Sequence, residues 1–339
     1  MKLSLYLFFI VFLGFSACKK QEVYSQASST PTVVSYLKGS SADVNTTTKG
    51  GLLLMGGGKD VDTAIEWLLN RSGSGDIVVL RSSGADGYNN YMYDMVNVNS
   101  VETLIIDSRE KANLASVEQK IKNAEALFIA GGDQWNYVNY WKNTPVETAI
   151  NYLINTKKVS VGGTSAGCAI LGNTYFNAAE GSVTSDEALQ NPFNKYMTLG
   201  QNDFVDAPNM QNTITDSHYT QRNRQGRHLA FLAKMMKDFN NTVTKGIGVD
   251  EQTAVCIDEN GIGKIYGIND AYFLQNNNLG AETWTNGTPL NWVRGNQAVK
   301  AYKITGSAAG NGSFNATNWT FSGGNAYFYY VNNGIVGTN

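Results

Sequence analysis

Short unbroken apolar runs, each ended by glycine or a polar cluster, alternate along the first half of the chain with segments whose apolar residues recur every three or four positions. Gly51-Leu52-Leu53-Leu54-Met55 is the first run, Ile77-Val78-Val79-Leu80 the second, Val101 to Ile106 the third and Glu125 to Ala130 the fourth. Runs of this length without polar alternation are those of strands buried on both faces. Between them, Val61, Ala64, Ile65 and Leu68 share one helical face in a segment running from an Asp60 cap to about Asn70. Helical patterns also cover the regions of residues 91–98 and 116–123. Strands alternating with helices predict an α/β fold, a mostly parallel sheet covered on both sides. Such sheets bring their functional loops to the carboxyl ends of the strands.

The second half of the chain continues this pattern and then leaves it. Val159-Ser160-Val161 reads as a strand, followed by a glycine-rich turn and an apolar segment of helical character. Residues 174–210 are loop-rich. A helix is expected from Thr220 to about Phe239, with Leu229, Leu232, Ala233 and Met236 on one face. Gly246 to Ile257 reads as one strand, Asn260-Gly261 as a hairpin turn and Ile262 to Ile268 as the return strand. Residues 276–339 are rich in Asn, without helical period, and read as a small C-terminal β extension beside a main domain over 51–275.

The chain opens with Lys2 and an apolar stretch from Leu3 to Phe15, then Ser16-Ala17-Cys18. This is the pattern of a secretory signal over residues 1–18, too short to span a bilayer. A cysteine after the small pair resembles a bacterial lipobox, which makes Cys18 the expected lipidated residue and the cell envelope the expected location. Residues 19–50, polar and without period, are expected to form a tether or irregular lead-in.

Composition removes several classes of function. Apolar residues make up 42% of the chain, ample for a core. A net charge of −2, with no basic run carrying interleaved aromatics, gives no case for nucleic acid. Beyond Cys18 there remain only Cys168 and Cys256, expected as buried thiols, so no disulfide framework exists. With two histidines and no Cys or His cluster, neither a structural zinc site nor any other metal site is expected.

Chemistry concentrates at Gly163-Thr164-Ser165-Ala166-Gly167, a G-x-S-x-G turn between strand and helix and hence the pattern of a nucleophile elbow. A serine there needs a base. His228 sits inside a helical pattern and reads as structural, which leaves His218, at a strand-to-helix junction. The orienting acid is expected to be Glu180, with Asp186 and Glu187 in reserve. The order Ser, acid, His also suits an α/β-hydrolase esterase. That fold inserts several βα units of about 30 residues each between serine and histidine, and the interval from Ser165 to His218 has no room for them.

Four blocks then match one family in order. They are Gly131-Gly132-Asp133-Gln134, the elbow, the segment from Asp216 to Arg227 (DSHYTQRNRQGR), and Gly246 to Ala254 (GIGVDEQTA). The chain resembles the cyanophycinase and dipeptidase E family of serine peptidases. The resemblance implies a three-layer sandwich like that of class I glutamine amidotransferases, with Ser165 as nucleophile, His218 as base and Glu180 as acid. It implies an oxyanion hole from the N–H groups of Ala166 and of Gly132 or Asp133. Gln134, Asp216, Arg222, Arg224 and Arg227 resemble residues around the substrate aspartyl unit. Ser217 stands where cyanophycinases carry glutamine, so short aspartyl peptides are expected as substrates at least as readily as the Asp-Arg polymer. The expectation is a cofactor-free, lipid-anchored serine peptidase acting on a small peptide or cyanophycin-like substrate, with a homodimer admitted. The rival is a non-catalytic envelope binding protein using the same pocket.

Overall fold

The computed structural model describes residues 31–339, so the signal segment and Cys18 lie outside the described residues. In chain order its first half contains β1 (Val34–Gly39), β2 (Gly51–Met55), α1 (Asp62–Asn70), β3 (Asp76–Arg81), α2 (Asn89–Met95), β4 (Ser100–Ile105), α3 (Arg109–Ala112), α4 (Ala115–Asn123), β5 (Ala126–Ile129), α5 (Gln134–Trp141), α6 (Pro145–Tyr152), β6 (Ser160–Thr164) and α7 (Ala166–Ala169). There follow β7 (Thr174–Phe176), α8 (Ser185–Gln190), β8 (Leu199–Gln201), β9 (Thr213–Asp216), α9 (Gln225–Asp238), β10 (Lys245–Val249), β11 (Thr253–Asp258), β12 (Ile262–Gly267) and β13 (Asp270–Asn276). The last stretch adds β14 (Val299–Thr305), β15 (Asn311–Asn315), β16 (Thr320–Ser322), β17 (Asn325–Asn332) and β18 (Ile335–Thr338).

These strands form two sheets. The first has the order β1-β4-β3-β5-β6-β2-β11-β12-β15-β16, the second β18-β17-β14-β13-β10-β9-β7-β8. Within the first, β4, β3, β5, β6 and β2 are parallel neighbours. Their unbroken apolar runs have the expected cause. In β2, Leu52 and Leu54 enter one core while Leu53 and Met55 enter the other. The first core receives Val117 and Ile121 of α4, Trp141 of α5 and Ala149 of α6; the second receives Ala64, Ile65 and Leu68 of α1. Each Leu, Ile, Val or Met side chain so removed from water contributes roughly 1.5–3 kcal/mol. The α/β class is therefore as expected, with helices on both faces of the parallel strands.

Four expectations are corrected. Val34–Gly39, inside the expected lead-in, is a strand that pairs antiparallel with β4 at the sheet edge. Asp60 does not cap α1, whose N-cap is Val61 without a side-chain bond. The helix expected from Thr220 begins only at Gln225, because His218 and Asn223 adopt positive φ (45° and 50°) and hold the intervening chain in turns. The expected strand over residues 246–257 is two strands in different sheets, β10 and β11, separated by Asp250-Glu251-Gln252 with Gln252 at φ 56°.

Residues 276–339 are β-rich as expected, but they do not stand apart. Strands β14, β17 and β18 extend the second sheet beyond β13, while β15 and β16 extend the first beyond β12. Residues 32–339 form one compact unit.

Candidate active site

The turn between β6 and α7 is built as its glycines require. Ser165 is held at φ 54°, ψ −112°, a conformation costly for a residue with a Cβ and a mark of functional strain. A Cβ on Gly163 would lie 2.5 Å from the Gly167 carbonyl carbon, and one on Gly167 would lie 2.1 Å from the Ile129 oxygen. Only glycine fits at either position. The Ser165 N–H donates to Met55 O of the neighbouring strand (3.0 Å), which ties the elbow to the sheet.

His218 meets this serine from the end of β9. Ser165 Oγ lies 2.7 Å from His218 Nε2. The imidazole rests on the glycine turn after β2: a Cβ on Gly57 would lie 2.4 Å from His218 Cε1, and His218 N–H donates to Gly56 O (2.8 Å). The run Gly56-Gly57-Gly58 is thus a wall of the site, shaped to let the ring approach the backbone.

The carboxylate that meets the imidazole is not that of Glu180. His218 Nδ1 lies 2.6 Å from Glu251 Oε1, on the crossing between β10 and β11. Glu180 is exposed and makes no hydrogen bond to His218. Asp186 is exposed in the first turn of α8, and Glu187 closes a capping box with Thr184. The loop-rich stretch after the serine carries all three away from the imidazole. The signal for Glu251 was present in the sequence, in two acids and a glutamine interrupting an otherwise apolar run.

Burial holds the His218 pKa below the ordinary imidazole value of about 6.5; Arg222 and Arg224 push the same way and the Glu251 hydrogen bond opposes them. A base must be neutral to accept a proton, so a lowered value extends its working range toward acid. The acid limb of kcat/KM is expected to have its midpoint below 6.5 and to move to higher pH in Arg222→Ala, which removes a like charge. A pH–rate profile of both proteins checks this, and a limb above 7 in the wild type would contradict it.

The loop after β5 overlooks the serine. A Cβ on Gly131 would come within 3.4 Å of Ser165 Cβ, and the Asp133 carboxylate caps α5 by accepting from Trp135 N–H (2.9 Å). The N–H groups of Gly132, Asp133 and Ala166 have no protein acceptor among the described residues. Gln134 is half-buried and donates to Phe176 O (3.1 Å).

The expected substrate-binding charges separate into two kinds. Asp216 is buried and accepts from Arg227 Nε (2.8 Å) and Nη2 (2.6 Å), from Arg224 Nη1 (3.1 Å) and from Ser217 N–H (2.9 Å). Burial alone would raise the Asp216 carboxyl, but Arg227 and then Arg224 outweigh it and hold it well below the usual range. Arg227 is equally buried, its guanidinium also reaching Val183 O and Ser182 Oγ. Asp216 and Arg227 are therefore internal partners of each other and have no free polar edge for a substrate. Breaking such a pair costs about 3–5 kcal/mol, so substitutions there report on folding. Arg224 is half-buried beside them, whereas Arg222 is exposed and makes no ion pair among the described residues. His228, packed against Tyr219 inside α9, is drawn by burial down to about 4 and stays neutral, as suits a structural histidine. Cys168 and Cys256 are free and buried.

Comparison with known proteins points to one peptidase family. The model of Peptidase family S51 matches residues 52–265. Cyanophycinases of Nostoc sp. and Trichormus variabilis are each 25% identical to the chain over 230 residues, covering 65% of it and 72% of their own length. The crystal structure of a peptidase from an acI-B1 Actinobacterium superposes with a TM-score of 0.50 at 16% identity, covering 71% of this chain and 98% of that one; this likeness concerns the fold alone. With more than half of its length matched, the chain belongs to peptidase family S51, the cyanophycinase and dipeptidase E family, and is a serine peptidase.

Proposed function

We propose that Ser165, His218 and Glu251 work as nucleophile, base and orienting acid in the hydrolysis of aspartyl peptides. The observation that carries this reading is the unbroken relay of 2.7 Å and 2.6 Å contacts from serine through imidazole to carboxylate. In this mechanism His218 Nε2 takes the Ser165 proton as Oγ attacks the scissile carbonyl. Glu251 holds the Nδ1–H tautomer and stabilises the imidazolium. The N–H groups of Ala166 and of Gly132 or Asp133 receive the oxyanion. His218 then protonates the departing amine and activates the water that releases the acyl group. Fluorophosphonate labelling followed by peptide mapping tests the reading, with modification expected on Ser165. The elbow between β6 and α7, on parallel strands covered on both faces, supports the amidotransferase-like form of the α/β fold.

For the substrate, Arg222 is the arginine that remains exposed beside His218, and the proposal assigns it to the free carboxylate of the aspartyl residue. Arginine meets a carboxylate through a planar two-point fork that lysine lacks. Arg222→Lys is expected to lower kcat/KM for aspartyl peptides about tenfold, the loss of roughly one charge-assisted bond. A panel of α- and β-aspartyl dipeptides beside leucyl and alanyl controls measures this; equal cleavage of all would remove the carboxylate clamp. We further propose a lipoprotein of the cell envelope anchored through Cys18, a reading supported by the sequence pattern of the leader. Acyl labelling of wild type and Cys18→Ser tests that placement, with label expected only in the former.

A further inference from the structure

The residue next to Glu251 holds the chain that carries the base. Asp250 is 3% exposed, and its Oδ1 accepts from both the N–H (2.8 Å) and the hydroxyl (2.7 Å) of Thr220, two residues beyond His218. Two further bonds flank this pair: Tyr219 N–H donates to Val249 O (3.2 Å), and Glu251 N–H donates to Gln221 Oε1 (2.9 Å). On its other side, Asp250 N–H donates to Asp270 O (3.1 Å) and Oδ2 lies 3.4 Å from Asp270 N–H, which fixes the crossing to the start of β13. The Asp250 backbone also abuts the wall of the site, since a Cβ on Gly56 would lie 1.9 Å from the Asp250 oxygen. Neighbouring side chains therefore hold the base at two points: that of Asp250 grips the segment after His218, and that of Glu251 grips the imidazole itself.

We propose that Asp250 is a positioning residue for the His218–Glu251 couple, setting their separation through the two hydrogen bonds it accepts from Thr220. The proposal rests on the Ser165–His218–Glu251 reading and adds the device that keeps base and acid in register. Neither the peptide turn around His218, at positive φ, nor the crossing at Glu251 and Gln252 belongs to a helix or strand that would fix it. A displacement near 1 Å at a catalytic pair costs on the order of 10²-fold in rate.

The test uses the rate of Ser165 acylation by a fluorophosphonate, measured over a range of probe concentrations. Asp250→Ala is expected to lower the maximal rate on the order of 10²-fold while leaving the half-saturating concentration unchanged, since Asp250 is buried with its carboxylate committed to Thr220. Asp250→Asn keeps the carbonyl acceptor for Thr220 and is expected to restore most of the rate. Thr220→Val removes one of the two bonds and is expected to fall between. A maximal rate in Asp250→Ala equal to wild type, a loss confined to half-saturation, or an Asn variant as slow as the Ala variant would each overturn the proposal. Glu251→Gln, run in parallel, separates the two levels: if it labels as fast as wild type, the triad reading fails. A slow Glu251→Gln beside a normal Asp250→Ala removes only the positioning role. Should Asp250→Ala not fold, unchanged labelling of Thr220→Val overturns the proposal by itself.

Discussion

Ser165→Ala and His218→Ala are each expected to lower turnover roughly 10⁴-fold or more, and the double variant to be little worse than either single one. The reason is that the 2.7 Å contact makes the two side chains one device: without the imidazole the hydroxyl stays protonated, and without the hydroxyl the imidazole has nothing to deprotonate. What survives is the rate supplied by binding and by the N–H donors of the oxyanion site. Alanine keeps the Cβ that Ser165 already carries at φ 54°, so the backbone strain is unchanged and the loss reports on the missing oxygen. Circular dichroism and thermal melting on the purified variants check that the fold is retained. Activity in His218→Ala within tenfold of wild type would falsify the assignment.

Glu251→Gln is expected to lower turnover roughly 10³-fold, whereas Glu180→Gln should behave as wild type. Triad carboxylates replaced by their amides lose about 10⁴ where they are buried; Glu251 keeps 30% of its side chain exposed, and water softens the effect. The amide can present an N–H where the imidazole N–H needs an acceptor, which favours the wrong tautomer. Glu180 stands in solvent with no bond to His218 and has no means of exerting such an effect. Steady-state kinetics on the two variants, with one substrate and one pH, decide the matter. A Glu180→Gln enzyme more impaired than Glu251→Gln would reverse the assignment of the acid.

The parts of this protein legible from sequence were those governed by local pattern. Apolar runs such as Leu52 to Met55 announce buried parallel strands because both faces must be apolar, whatever the rest of the chain does. The elbow was legible because Gly163 and Gly167 answer close backbone approaches that no other residue satisfies. What escaped depends on contacts between distant segments. The run Gly246 to Ile257 has the composition of one long strand, and only the divergence of β10 and β11 into different sheets turns Glu251 toward His218. Likewise the resemblance put Asp216 and Arg227 near the substrate, because matching positions do not reveal that the two are buried against each other. The edge strand Val34–Gly39 was missed for a related reason: Val34 and Leu37 remain exposed, and its ladder with β4 is a long-range pairing.

The crossing at residues 250–252 also has a consequence in time. Ser165 stands at the end of a strand of the first sheet and His218 at the end of one of the second, while Glu251 lies on the link between them. Strand β2, whose Met55 oxygen anchors the Ser165 amide, pairs on one side with β6 and on the other with β11, which follows Glu251. The pairing of β2 with β11 joins segments far apart in the sequence, and such pairings form slowly because a long loop must close first. Until β11 has closed onto β2, the proposed nucleophile and base lack the carboxylate proposed to hold the tautomer. On the proposed triad an incompletely folded chain is a silent one, and activity is expected to appear with the same long-range pairing that completes the first sheet.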